Sequence, residues 1–320
     1  MRASFACLPR TVACAAALVM GMAVMPFANA GSLSPALIYG VTTTNDINLF
    51  DVQSQSFSFV ATSLSTGVKA NGFATDRIRN NLFYFGSNGD LYYYNTTSGG
   101  AGTVAPASTF GNSADFPPED ASFYNGAFWY IGKGDDFDNK LYQVPITYTG
   151  NVPSFSGTPT AYQLSASGST SGMGFGDIAI HRDTGILYGS TTPGSGGLFF
   201  TLDMNTLNPS ATNPVNVISS GNPISVQLAF SEDFSTLYGQ EYRLNSLDPT
   251  NPALTSGFWY SVDTSSGTYN SLSIVTSPGM RDLGGVAAVP EPGTFLLATV
   301  GFAVALAWNR KPILKAARSK

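Results

Sequence analysis

An all-β fold, a ring of about five repeated units, is what this sequence predicts, and three observations carry the prediction. The chain is sparing with charge and generous with rings: 11% of its 320 residues are Asp, Glu, Lys or Arg and 12% are aromatic. The aromatics stand in short clusters set apart by Gly, Asn, Asp and Ser, the alternation of strands and tight turns. The clusters also recur at a steady interval. Tyr39, Tyr84, Tyr130, Tyr188 and Tyr238 mark five copies, spaced 45, 46, 58 and 50 residues apart.

The elements follow in chain order. Arg2 and Arg10 give a positive start, an apolar run extends from Val12 to Met25, and Ala28-Asn29-Ala30 is a small-x-small site. This is the layout of a secretory signal cleaved before Gly31, which implies the Sec translocon and signal peptidase as partners. Both cysteines, Cys7 and Cys14, lie in that segment. The mature chain then has no disulfide and no thiolate, so its core alone must hold it.

The first copy of the repeat is Leu37-Ile38-Tyr39-Gly40, followed by a second strand, Ile47–Val52. The later copies are Leu82–Gly86 with Leu91–Asn95, Phe128–Gly132 with Leu141–Val144, Ile186–Gly189 with Leu198–Asp203, and Thr236–Gly239 with Phe258–Asp263. A leading element precedes most copies: Gly72–Thr75, Asp120–Phe123, Asp177–Ile180 and Gln227–Phe230. Polar pairs such as Asn125-Gly126 separate it from the marker strand and suit tight hairpins. The first copy lacks a leader, and Asp282–Val289 is a leader without followers. Joining the two completes a fifth unit. A period near 45 to 50 with several strands per unit resembles a β-propeller, and pairing of the two termini removes the open seam.

The tail has three parts. Val289-Pro290-Glu291-Pro292 comes first, then an apolar run from Phe295 to Trp308, then Arg310 and Lys311. Pro290 and Pro292 exclude a helix and keep the motif extended. The apolar run makes a short transmembrane helix whose basic end stays cytoplasmic, with the body outside. This arrangement resembles the PEP-CTERM signal of Gram-negative bacteria. The resemblance implies export, handling at the inner membrane by an exosortase, cleavage near the Pro-Glu-Pro, and an association with exopolysaccharide. The basic end departs from the family's tight Arg cluster, being spread to Lys320 and interrupted by Pro312. The expected domains are thus a signal peptide (1–30), a propeller-like extracytoplasmic domain (31–289) and a sorting tail (290–320).

The body from 31 to 289 holds 8 Lys and Arg against 19 Asp and Glu, a net charge of −11. Such a surface lacks the basic footprint that nucleic acid requires. His181 is the sole histidine and stands at a turn, so neither a nucleophile–His–acid set nor a usual zinc site is expected. Asp135, Asp136, Asp138 and Asn139 offer oxygens to a hard cation such as calcium, but their spacing does not match a calcium-binding loop. The reading is no resident cofactor, with calcium as the alternative. Carboxylate pairs for sugar hydrolysis meet in space rather than in sequence, but Glu119, Glu232 and Glu241 are the only glutamates of the body. Trp129, Tyr130, Trp259 and Tyr260 are broad enough to stack on sugars, yet their repeat positions place most of them in the core. The functional expectation is a non-enzymatic surface or matrix protein associated with extracellular polysaccharide. The alternatives are a sugar-binding propeller and a propeller enzyme acting on polysaccharide.

Overall fold

The computed structural model describes residues 36–42, 44–64, 70–110, 120–131, 140–166, 175–192, 196–243 and 256–285. The expected signal peptide, the acidic stretch 135–139 and the sorting tail lie outside them. Each repeat forms a four-stranded antiparallel sheet, one blade of a ring. The first blade contains β1 (Leu37–Thr42), β2 (Asp46–Asp51) and β3 (Ser56–Thr62). The second is β4 (Asn71–Asp76), β5 (Asn81–Phe85), β6 (Leu91–Asn95) and β7 (Ala101–Ala105).

The third blade starts with β8 (Asp120–Tyr124), β9 (Ala127–Ile131) and β10 (Lys140–Thr149), whose far end folds back on β11 (Val152–Phe155). Its outer strand is β12 (Thr160–Ala166). The fourth is β13 (Phe175–His181), β14 (Ile186–Thr191), β15 (Phe199–Asp203) and β16 (Thr212–Ser219). The fifth is β17 (Gln227–Phe230), β18 (Leu237–Arg243), β19 (Ser256–Val262) and β20 (Tyr269–Thr276). The outer strands β12 and β16 pair in parallel, fusing the third and fourth blades at their edges.

The last strand, β21 (Met280–Gly285), returns to the first blade and pairs antiparallel with β1, Ile38 opposite Gly285 and Gly40 opposite Leu283. The ring is therefore closed by strands from opposite ends of the chain, as the missing first leader implied. The strand starts two residues before the predicted Asp282. Every marker tyrosine lies on the second strand of its blade and every leading element on the innermost, the last of them over 282–285, since 286–289 lie outside the described residues. The innermost strands pack on one another in a closed circuit: β21 on β4, then β8, β13, β17 and back to β21.

Five apolar clusters fill the five junctions between blades. The one across the terminal seam joins Ile38, Phe50 and Leu283 to Ala229 and Trp259. Between the second and third blades Phe83 and Phe85 meet Phe128 and Tyr130. Strands buried on both faces explain why the inner and second strands lack polar alternation: β4, β5 and β9 are buried at every position. The outer strands differ. β3 has no fully buried residue, and Phe59 on it is 65% exposed.

Candidate functional site at the mouth of the central channel

The inner strands start at a collar of acids. Asp120, Asp177 and Asp282 occupy the same position on three of the five, and all are buried. Asp282 Oδ2 accepts the N–H of Phe73 on the neighbouring inner strand at 2.6 Å, and its Oδ1 accepts that of Leu283 at 2.8 Å. Asp177 repeats the device, taking Leu228 N–H at 2.5 Å and Ile178 N–H at 2.6 Å. Gln227 holds the equivalent place on β17 and donates from Nε2 to Gly176 O at 3.0 Å. Burial raises the Asp177 carboxyl well above the usual range, and repulsion from Asp282 and then Asp120 adds to this. Burial, then Asp120, does the same to Asp282. These carboxylates join blade to blade.

A cavity of about 370 Å³ lies among the inner strands. All five contribute to its wall, with Phe73, Ala121, Ile178, Leu228 and Leu283 as examples. It opens at the other end of those strands, where hairpins lead out to the second strands. The hairpin of the third blade turns on Asn125 and Gly126, both at positive φ, which Asn and Gly tolerate.

This mouth is basic, in an acidic body. Arg77, Arg79 and Arg182 line it. Arg77 reaches across the seam, donating from Nη1 to Ser231 O (2.8 Å) and Glu232 O (3.3 Å) and from Nη2 to Phe230 O (2.7 Å). Its guanidinium lies 4.0 Å from the ring centre of Phe234, and that of Arg182 lies 5.1 Å from the same ring. Burial, followed by the nearby Arg182 charge, lowers the Arg77 pKa to about 9. Only glycine fits where β21 ends: a Cβ on Gly285 would stand 1.5 Å from Arg77 Nη2 and 2.3 Å from Phe230 O. Arg79 instead pairs with Asp76 at 3.6 Å and covers Tyr148 at 4.1 Å.

The sequence candidates are scattered relative to this mouth. His181 ends β13, its Nδ1 accepting Thr184 N–H at 3.3 Å and its ring packed on Phe230 and Phe234. Trp129 is 4% exposed and donates to Tyr124 O; Trp259 is 1% exposed and donates to Thr276 Oγ1. Tyr130 is fully buried. Tyr260 is half-buried and donates to Glu241 Oε2 at 3.1 Å. Three of the four proposed sugar platforms are therefore core. Glu232 is buried beside the seam, where burial raises its pKa and the Leu37 N–H partly offsets this. Among the described residues no set of three or more His, Cys, Asp or Glu is placed to hold a metal ion, and no helix is long and apolar enough to cross a membrane. Both the collar and the mouth escaped the sequence reading. The signals were there: Asp opens three of the leading elements, and Arg77-Ile78-Arg79 is a basic pair in an acidic chain.

No curated protein matches this chain. Among solved structures, TolB from Acinetobacter baumannii is similar with a TM-score of 0.43 and 13% identity, over 84% of this chain and 69% of that one. Residues 288–311 match the model described as the PEP-CTERM protein-sorting motif. That span holds Val289, Pro290, Glu291, Pro292, Arg310 and Lys311. The chain therefore carries a PEP-CTERM signal, the mark of an exported protein with a membrane-anchoring C-terminal address recognised by exosortase.

Proposed function

We propose that this protein is a non-enzymatic component of the cell envelope or extracellular matrix, delivered as an intact propeller and associated with exopolysaccharide. One observation carries the reading: the strand that closes the ring ends at Gly285, upstream of Pro290. A cut near the Pro-Glu-Pro would leave every described blade and the terminal pairing untouched. The signal peptide and the tail then serve delivery, and the ring is the delivered product.

The use of the carboxylates supports a structural role. Asp177 and Asp282 bind backbone amides between blades. Asp76 takes the hydroxyl of Tyr148 at 2.5 Å, and Asp203 and Asp263 cap turns. Groups so engaged are poorly placed for acid–base work, which needs a carboxyl facing a substrate. The exopolysaccharide association rests on the sorting signal alone. The test is a Pro290→Ala, Pro292→Ala double variant expressed in the native host. It should accumulate as a longer, membrane-held chain; an unchanged mature mass and location would remove the sorting claim.

A further inference from the structure

Of the three arginines at the channel mouth, Arg77 is the buried one and Arg182 the exposed one beside it. Arg77 has no carboxylate within 4.0 Å among the described residues; three backbone carbonyls and the face of Phe234 surround it instead. Arg182 engages Asp183 through Nε at 3.1 Å, and no described residue bonds its Nη groups. Thr75, on β4 two residues before Arg77, lines the cavity. It is 9% exposed, and its Oγ1 has no hydrogen-bond partner. Buried polar groups are nearly always satisfied, so an orphan hydroxyl in a cavity wall shared with Arg77, which has no carboxylate partner at ion-pair distance, points to a missing acceptor. Behind these groups the wall is built by the inner strands of all five blades, with Phe73, Ile178 and Leu228 among the contributing residues. A volume of about 370 Å³ suits a small ligand.

We propose that the mouth of the channel is a carboxylate-binding site, taking an anionic head at Arg77, Arg182 and Thr75 and a compact body into the channel. An anion there gives the two neighbouring cations a shared counter-charge, and charge-assisted bonds to guanidinium are the strong class of hydrogen bond. The same chemistry has two sources. One is a separate ligand. The other is Glu291 of the sorting motif, the only acidic residue after Asp282 and six positions beyond Gly285, which sits against Arg77.

The test is fluorine NMR on the full chain in detergent, with para-fluorobenzoate and its neutral analogue para-fluorobenzamide as probes. The benzoate should broaden and shift with protein while the benzamide does not. Arg182→Gln, a change at an exposed side chain, should weaken benzoate binding about tenfold or more. In Glu291→Gln, tighter benzoate binding identifies the chain's own motif as the natural occupant, and unchanged binding identifies a separate ligand. Equal binding of both probes, binding indifferent to Arg182→Gln, or no benzoate binding in either the wild type or Glu291→Gln would overturn the proposal.

Discussion

Asp282 Oδ2 accepts the backbone N–H of Phe73 at 2.6 Å across 209 positions of sequence. The bond ties the strand that closes the ring to the inner strand of the second blade. With the β21–β1 pairing it fixes the closing strand on both sides, and Asp177 likewise joins the fourth and fifth blades. A polar collar at the start of the channel thus supplements the apolar packing of the junctions.

Replacing Asp282 with Ala should therefore cost more than a surface change. It strands the amides of Phe73 and Leu283 in a dry site. Each orphan costs about 1–3 kcal/mol, so a loss of roughly 2–6 kcal/mol is expected in urea unfolding. A cost below about 0.5 kcal/mol, the level of a neutral surface site, would show that the collar is dispensable.

The collar also has a pH signature. Asp177 and Asp282 are raised above their unfolded values, so the folded state holds their protons more tightly. Their contribution is complete below about pH 4 and is lost as pH rises through the folded values. Between about pH 8 and about pH 5 the wild type should gain stability relative to an Asp177→Asn, Asp282→Asn double variant. Parallel melting curves for the two proteins over that range would contradict the assignment.

Gly285→Ala probes the same seam sterically. The new methyl would meet Arg77 Nη2 and the carbonyl of Phe230, and backbone does not yield as a side-chain tip does. Overpacking of this kind costs about 1–3 kcal/mol. Thermal unfolding should show the loss, whereas Gly150→Ala, with nothing within 4 Å but φ of +62°, should show only backbone strain.

Trp259 serves packing. It stacks on Phe50 at 4.5 Å, fifth blade against first, and its Nε1 donates to Thr276 Oγ1 at 3.1 Å. Trp259→Ala should destabilise by about 3–5 kcal/mol. Its indole fluorescence should resist quenching by iodide in the native protein. Ready quenching in a variant retaining Trp259 as its only tryptophan would mean the ring is exposed and free to stack on sugar.

Much of this architecture was legible because the repeat states it. Strands buried on both faces need aromatic and β-branched clusters that recur with the blade, and Tyr39, Tyr84 and Tyr130 do so at intervals of 45 and 46 residues. The missing first leader and the orphan leader at Asp282 announced the closure. The fourth strands were not legible. β3 and β7 lie at blade edges, where even Phe59 is exposed, so little burial imprints a pattern on them. The mouth was hidden for a different reason. Arg77 and Arg182 stand 105 positions apart and meet over Phe234 only when the ring closes.

The most direct test of the account is the intact mass of the native protein recovered separately from envelope and medium. The account predicts a chain that begins at Gly31 and ends near Pro290, all five blades present and the tail removed. A chain running through Lys320 and confined to membranes would contradict it, since the ring would then be a permanently tethered domain instead of a delivered product.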